Sequence, residues 1–302
     1  MSWLERRMVH LYYVLWQWRA YLFVKNIHAR ERFDLVHHIT LGAIRLPSFL
    51  GRLGPPFIFG PVGGGERAPW RLRQGYGWRG WIVDLIRDAW NFVIRIDPLI
   101  QNTFKKADSI YVKTWDSRPV IPRKYWPKVR GRLEIGSVPT NRPIQKVFDQ
   151  TNGLRIGYVG RFVYWKGMHL GLPAFARLAA VYPRVHLTLV GSGPEELRWR
   201  ALAEQLGISD RLSWIPWVTH EELKSIYVQQ DVLLFPSLHD SSGNVVLEAM
   251  SHGLPVVGLD LGGPGVMVDE ICGRVIATSG ATRGCVIEKL TDALLELAKD
   301  SD

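Results

Sequence analysis

Residues 231–260, DVLLFPSLHDSSGNVVLEAMSHGLPVVGLD, decide the fold. The stretch opens on an apolar segment of strand length, DVLLFPS, crosses a polar loop with a glycine, turns helical at about Asn244 and returns to a second apolar run, PVVGLD. Short apolar runs without alternation suit strands buried on both faces, and a helix between two of them predicts a parallel pair. The same pattern extends towards the N-terminus. LRIGYVG (154–160) precedes a helix from Lys166 to about Val181, VHLTLVG (185–191) precedes a helix starting at GPEEL, and RLSWIP (211–216) precedes HEELKSIYVQQ. Strands alternating with helices predict an α/β domain on a parallel sheet, whose ligands sit beyond the carboxyl ends of the strands.

The first half is less regular. Residues 3–30 read as one helix whose Trp, Tyr and Leu cover much of its circumference, either packed on several sides or lying against lipid. FDLVHHIT (33–40), PFIFGPVGGGE (56–66), ADSIYVKT (107–114) and LEIGS (133–137) read as strands, the second running into a glycine loop. Turn formers without a period fill 138–153, which predicts a linker and two domains, 1–147 and 148–302.

At 302 residues there is room for two domains. With 47% hydrophobic and 22% charged residues, disordered, collagen-like and coiled-coil chains are excluded. Two cysteines, Cys272 and Cys285, exclude a disulfide scaffold and a Cys-rich zinc site, and predict a reduced, cytosolic setting. The net charge of +10 is uneven: residues 1–150 hold 25 Lys/Arg against 11 Asp/Glu, and the remainder 13 against 17. The first half is therefore expected to face something anionic, or to carry a solvated basic face. The longest apolar candidate for a membrane span, residues 12–24, contains Arg19 and is too short. The opening MSWLERRMVH lacks the apolar stretch and cleavage site of a secretory leader.

Three strand ends carry the candidate chemistry. In GRFVYWKG (160–167), Arg161 and Lys166 put a planar fork and a point charge where a diphosphate would sit. In GSGP (191–194), Gly193 and its neighbours allow a ligand or another backbone to approach, but the loop is neither a Walker loop nor a complete dinucleotide fingerprint. In 237–257, Asp240 lies in the loop and Glu248 eight positions on in the helix, with Gly243, Asn244 and Val245 between them at a helix start. Free N–H groups there suit an anion, and carboxylates suit the hydroxyls of a sugar or ribose. The D-x-D triplet Asp300-Ser-Asp302 falls at the chain end, so no carboxylate motif for a divalent cation is expected. His169, His186, His220, His239 and His252 have no metal-ligand spacing and read as surface or packing residues. No helix-turn-helix, zinc finger or RNP motif supports nucleic acid as a partner.

Taken in order, GRFVYWKG, LVGSGP, FPSLHDSSGNVVLEAMSHGLPVV and GGPG resemble the nucleotide-binding half of family 4 glycosyltransferases of the GT-B fold, across residues 154–298. The first half resembles the same family more loosely, through FDLVHHIT, the GPVGGGE loop, IPRK and LEIG. The resemblance implies an α/β, GT-B-type chain: two Rossmann-like domains facing across a cleft, the first incomplete. It implies that Arg161, Lys166 and the backbone of Gly243, Asn244 and Val245 meet the nucleotide diphosphate. Glu248 would hold the ribose and Asp240 would contact the transferred sugar. His37 or His38 would stand at the acceptor side near the anomeric centre, with Gly63, Gly64, Gly65 and Glu66 lining the cleft.

Two departures stand out: Asp240 replaces the family's Glu, one methylene shorter, and His37 and His38 are adjacent where the family has H-x-H. The family's opening strand and glycine loop, and its closing helices, are not visible, so a truncated chain is expected. The expected function is retaining transfer of a sugar from a nucleoside-diphosphate sugar to a hydroxyl of a sugar or lipid-linked acceptor, without metal or other cofactor. A non-catalytic nucleotide-binding fragment and a sugar-nucleotide epimerase are the alternatives. An anionic membrane surface is the further partner expected for residues 3–30 and Arg71, Arg73 and Arg79.

Overall fold

The structure, a computed structural model, describes residues 3–136 and 153–299. The expected linker (apart from Gly153), the 147/148 boundary and the Asp300–Asp302 triplet lie outside the described residues. The chain divides into two compact units: residues 1–66 with 85–134, and residues 67–84 with 135–302. Arg67–Asp84 thus belongs with the second unit, although it lies between the two stretches of the first.

The first unit begins with helix α1 (Trp3–Glu31), followed by β1 (Val36–His38) and β2 (Phe57–Val62). Helix α2 (Trp78–Val93) starts in residues of the second unit and ends in the first. Then come α3 (Pro98–Lys106), β3 (Ser109–Val112) and β4 (Val129–Gly131). The sheet is parallel in the order β1-β2-β3-β4, with Val36 opposite Phe57, Ile58 opposite Ser109 and Ile110 opposite Val129. Phe57, Phe59, Phe104, Ile110 and Val112 fill its core. Helix α3 starts where the sequence dictates: the Asp97 carboxylate accepts the N–H groups of Leu99 and Ile100, and Pro98 takes the first helical position. The strand expected at 133–137 is not formed over its described part, 133–136. The fourth strand is instead β4, where Val129 is buried in the core while Glu134 and Gly136 remain exposed.

The second unit contains β5 (Leu154–Val159), α4 (Met168–Val181), β6 (Val185–Val190), α5 (Glu196–Gln205) and β7 (Leu212–Ile215). It continues with α6 (His220–Gln229), β8 (Val232–Phe235), α7 (Asn244–Ser251), β9 (Val256–Leu259), α8 (Pro264–Met267), β10 (Gly273–Ile276) and α9 (Arg283–Lys299). All its strands are parallel, in the order β10-β9-β8-β5-β6-β7. Both faces are covered, which is why its strands read as continuous apolar runs. Along β8, Val232 and Leu234 join the cluster built on α4 and α9, while Leu233 and Phe235 join the one built on α6 and α7. Each such fully buried side chain contributes about 1.5–3 kcal/mol. Ala68, Leu72 and Tyr76 complete the α4 side of this core. Helix α6 has its start fixed by a capping box between Thr219 and Glu222.

Candidate functional site

The order of the second sheet reverses between β5 and β8: from β5 the chain builds outward through β6 and β7, and from β8 through β9 and β10. That reversal is the topological switch point, where a doubly wound sheet opens a crevice at its carboxyl edge. The two loops leaving it are two of the three strand ends singled out in the sequence, 160–167 after β5 and 236–243 after β8. The Leu238 N–H donates to the Trp165 carbonyl at 2.8 Å and the Ser237 hydroxyl to the same oxygen at 3.4 Å, so the loops are stitched together.

Lys166 and Asp240 meet in an ion pair, both mostly buried, and the Lys166 ammonium lies 4.6 Å from the centroid of the Phe235 ring. The other Asp240 oxygen accepts the Gly243 N–H at 3.2 Å. Gly243, at φ 75°, is the residue before α7, and Asn244 and Val245 open the helix. The N–H groups of a first helical turn have no partner within the helix and carry the positive end of its dipole. Arg161 is exposed at the end of β5. Glu248, half-buried on α7, accepts the Tyr227 hydroxyl at 3.1 Å, and the Tyr227 ring stacks on His252 at 5.4 Å. Burial and the adjacent Glu248 carboxylate push the Tyr227 hydroxyl pKa up. Asp240 and Glu248, expected to serve one cleft, have different partners here: Lys166 and Gly243 for the first, Tyr227 for the second. A Cβ at Gly193 would overlap the Phe162 backbone, so this glycine serves the close approach of two loops.

One cluster went unread in the sequence. Asp84, on the first turns of α2 and fully buried, accepts the Tyr164 hydroxyl at 3.1 Å and faces His239 Nε2 at 3.1 and 3.2 Å. Arg73 Nε lies 3.4 Å from the same carboxylate and donates to the Ala68 carbonyl. Burial pushes the Asp84 pKa up, but the His239 hydrogen bond and charge, the Arg73 charge and Tyr164 together hold it below the usual carboxylate range. Tyr164 is two residues before Lys166 and His239 is next to Asp240. A single carboxylate therefore braces both loops. His239 is neither a surface residue nor simple packing, and Arg73, 1% exposed, cannot belong to a membrane-facing set. The signal available was Asp84, Arg87 and Asn91 at the spacing of one helix face within an apolar run. His169 is buried as well, with Nε2 2.8 Å from the Leu72 carbonyl, and burial lowers its pKa to about 4.

The remaining expected residues lie in the first unit. On β1, His38 points into the core against Phe59, and burial lowers its pKa. His37 points the other way, exposed, with Nε2 2.7 Å from the Gly60 carbonyl oxygen. Glu66 is 3% exposed. Its carboxylate accepts the Gly64 N–H at 3.0 and 2.9 Å and the Ser117 hydroxyl at 3.1 Å, and pairs with Arg87 at 3.2 Å. That carboxylate is occupied in shaping the glycine loop.

The model of the family described as glycosyl transferases group 1 matches residues 141–297, just over half of the chain. A D-inositol 3-phosphate glycosyltransferase of Saccharomonospora viridis is 32% identical over 217 residues, covering 68% of this chain and 48% of that protein. A 2-deoxystreptamine glucosyltransferase of Streptomyces kanamyceticus is 31% identical over 131 residues, 43% of this chain and 34% of that one. The chain thus spans about a third to a half of the length of these curated relatives. Among solved structures, WaaG, a glycosyltransferase involved in lipopolysaccharide biosynthesis, superposes with a TM-score of 0.53 at 18% identity, covering 93% of this chain and 73% of its own. With two parallel α/β sheets of the GT-B type and the family's model matched through the whole second sheet, the chain belongs to the group 1 glycosyl transferases.

Proposed function

We propose that the chain acts as a retaining glycosyltransferase of hexosyltransferase type, moving a sugar from a nucleoside-diphosphate sugar to an acceptor hydroxyl in bacterial polysaccharide or glycolipid synthesis. The observation that carries this reading is the Lys166–Asp240 ion pair at the sheet's switch point, beside the N-terminus of α7. On donor binding the diphosphate replaces Asp240 as the counter-ion of Lys166. Arg161 supplies a second cation, and the N–H groups of Gly243, Asn244 and Val245 meet the same anion. Asp240, released, accepts a hydroxyl of the transferred sugar, and Glu248 accepts from the ribose.

Charge growing on the leaving diphosphate is met by groups already in place, so the reaction needs neither metal nor cofactor. The departing phosphate oxygen takes the acceptor proton, and the new bond forms on the face the diphosphate leaves. At the acceptor side His37 is the better candidate, since the His38 ring is committed to the core. Glu66 positions the Gly64 backbone and does not touch substrate in this reading. The acceptor is a sugar or a lipid-linked saccharide, met at the inner face of the cell membrane, where the basic first half would favour an anionic surface; nucleic acid has no part.

Calorimetric titration with UDP and GDP tests the donor side. Arg161→Ala is expected to weaken the preferred nucleotide by about 1.5–3 kcal/mol, the range for a charged hydrogen bond. Affinity unchanged in both Arg161→Ala and Lys166→Ala would overturn the reading.

A further inference from the structure

The second unit holds a cavity of about 320 Å³ between α5, the start of α4, the start of α9 and the turn at Gly75–Tyr76. Small-molecule sites begin at roughly 300 Å³ and are mostly apolar with a few convergent polar groups. Helix α5 turns one face into the space, with Arg198, Trp199, Leu202 and Gln205 at three- and four-residue spacing. Tyr76 and Tyr164 line it, ring to ring at 4.9 Å, and Tyr76 meets the His169 ring at 5.2 Å. Gly75, at φ 115°, lets the turn close onto His169, where a Cβ would stand 2.8 Å from the ring.

Two guanidinium groups reach this space. Arg198 stands 3.8 Å from the Glu195 carboxylate, past hydrogen-bond distance, and extends to Gly77, where a Cβ would lie 2.6 Å from its Nη1. Arg283 donates to the His169 carbonyl at 3.3 Å, while its Nε is buried with no hydrogen-bond partner among the described residues. Burial lowers the His169 pKa, and against the Leu72 hydrogen bond the charges of Arg283 and Arg198 add to the fall, so both cations act on one spot. Arg283 is also the first residue of α9, whose first turn holds no acid, so this cation sits at the positive end of a helix dipole. Glu195 is the one carboxylate lining the cavity. An anion on a ring-shaped body answers both features: guanidinium forks match phosphate oxygens, and aromatic walls pack against a ring. We infer that this cavity is an effector site for a phosphate monoester with a ring-shaped body, held by Arg198 and Arg283.

Tyr164 couples the cavity to the switch point. Its ring lines the cavity, its hydroxyl is held by Asp84, and it lies two residues before Lys166. A ligand packed on that ring fixes the 160–167 loop in its braced arrangement and so favours whatever Lys166 binds. This coupling rests on the donor role proposed for the loop; the ligand class of the cavity does not.

Calorimetric titration of the full chain with phenyl phosphate tests it. Binding is expected with UDP at saturation and in Lys166→Ala, which separates it from the switch-point site. Arg198→Gln/Arg283→Gln, and Ala201→Trp filling the cavity from its exposed rim, should each weaken it by about tenfold or more, with near-UV circular dichroism and UDP affinity retained. Inorganic phosphate, which has no ring, should bind about tenfold more weakly than phenyl phosphate. Saturating phenyl phosphate should tighten UDP by about fivefold or more, and the gain should vanish in Ala201→Trp. Phenyl phosphate affinity that survives both variants, or that UDP abolishes, would overturn the site. Equal affinity for inorganic phosphate would overturn the ligand class, and a UDP affinity unmoved by phenyl phosphate would overturn the effector role. If UDP binds under neither condition while both variants lose phenyl phosphate, the donor reading fails and the cavity assignment stands.

Discussion

Removing the Asp84 carboxylate probes the brace beneath the loops at 160–167 and 236–243. Asp84 is fully buried and Arg73 is 1% exposed, so Asp84→Ala takes one partner from a buried charge pair. It also deletes the acceptor used by Tyr164 and His239. Breaking a buried pair from one side costs about 3–5 kcal/mol. At roughly 2–4 °C per kcal/mol for a body of this size, the melting temperature should fall by about 6–20 °C. Replacing both members by apolar residues, Asp84→Leu/Arg73→Met, should cost less than the single change, because no uncompensated charge remains.

The pH dependence has a defined sign. The folded Asp84 pKa lies below its unfolded value, so its contribution is complete above the ordinary carboxylate pKa of about 4 and is lost as pH falls through the folded value. The gap between the unsubstituted protein and Asp84→Asn should therefore be constant from pH 7 down to about 4, and close only below that. Thermal unfolding followed by near-UV circular dichroism reads both effects. An Asp84→Ala melting temperature within about 2 °C of the unsubstituted protein would refute the reasoning.

Three further outcomes are expected. His169, with a folded pKa of about 4, binds its proton more readily when unfolded, so its contribution is whole above pH 6.5 and erodes as pH falls towards 4; His169→Gln should flatten the stability profile over that window by about 3 kcal/mol, and an unaltered slope counts against it. Turnover of a nucleotide sugar should survive excess EDTA, and loss restored by Mg²⁺ or Mn²⁺ would show that the fixed cations are insufficient. Gly262 sits at φ 65° with no room for a Cβ beside the Asp240 carbonyl oxygen, so Gly262→Ala should displace the Asp240 loop and weaken nucleotide binding at least tenfold; an unchanged UDP titration would contradict this.

The second sheet was legible because buried parallel strands leave unbroken apolar runs, and β5 to β9 stand where LRIGYVG, VHLTLVG, RLSWIP, DVLLFPS and PVVGLD placed them. The loops bearing Arg161, Lys166 and Asp240 were legible for the same reason, since each follows a strand whose end is plain. The short β10, GRVI, has half-exposed Arg274 and Val275 at its middle and gives no such run. The helical period of α2 was present in the sequence and went unread; what the period alone could not give is that its apolar side faces out and its polar side in. The same inversion hid Asp84, whose role depends on two loops more than seventy residues away. In the first half, LEIG looked like a strand by composition, yet with Glu134 and Gly136 exposed its described residues form no ladder.

If the chain works as proposed, the Lys166–Asp240 pair is a placeholder that the free protein holds for its ligand. Nucleotide binding is then an exchange of one anion for another at a fixed cation. An ordinary phosphate, offering one point of attachment, gains little by evicting a carboxylate already in place. A diphosphate can engage Lys166, Arg161 and the start of α7 together, and so can outbid it. On the proposed function, the carboxylate would thereby filter anions by valency before any sugar is read. In that reading, the eviction that admits the donor also frees Asp240 for the sugar, and loading and arming of the site would be one event.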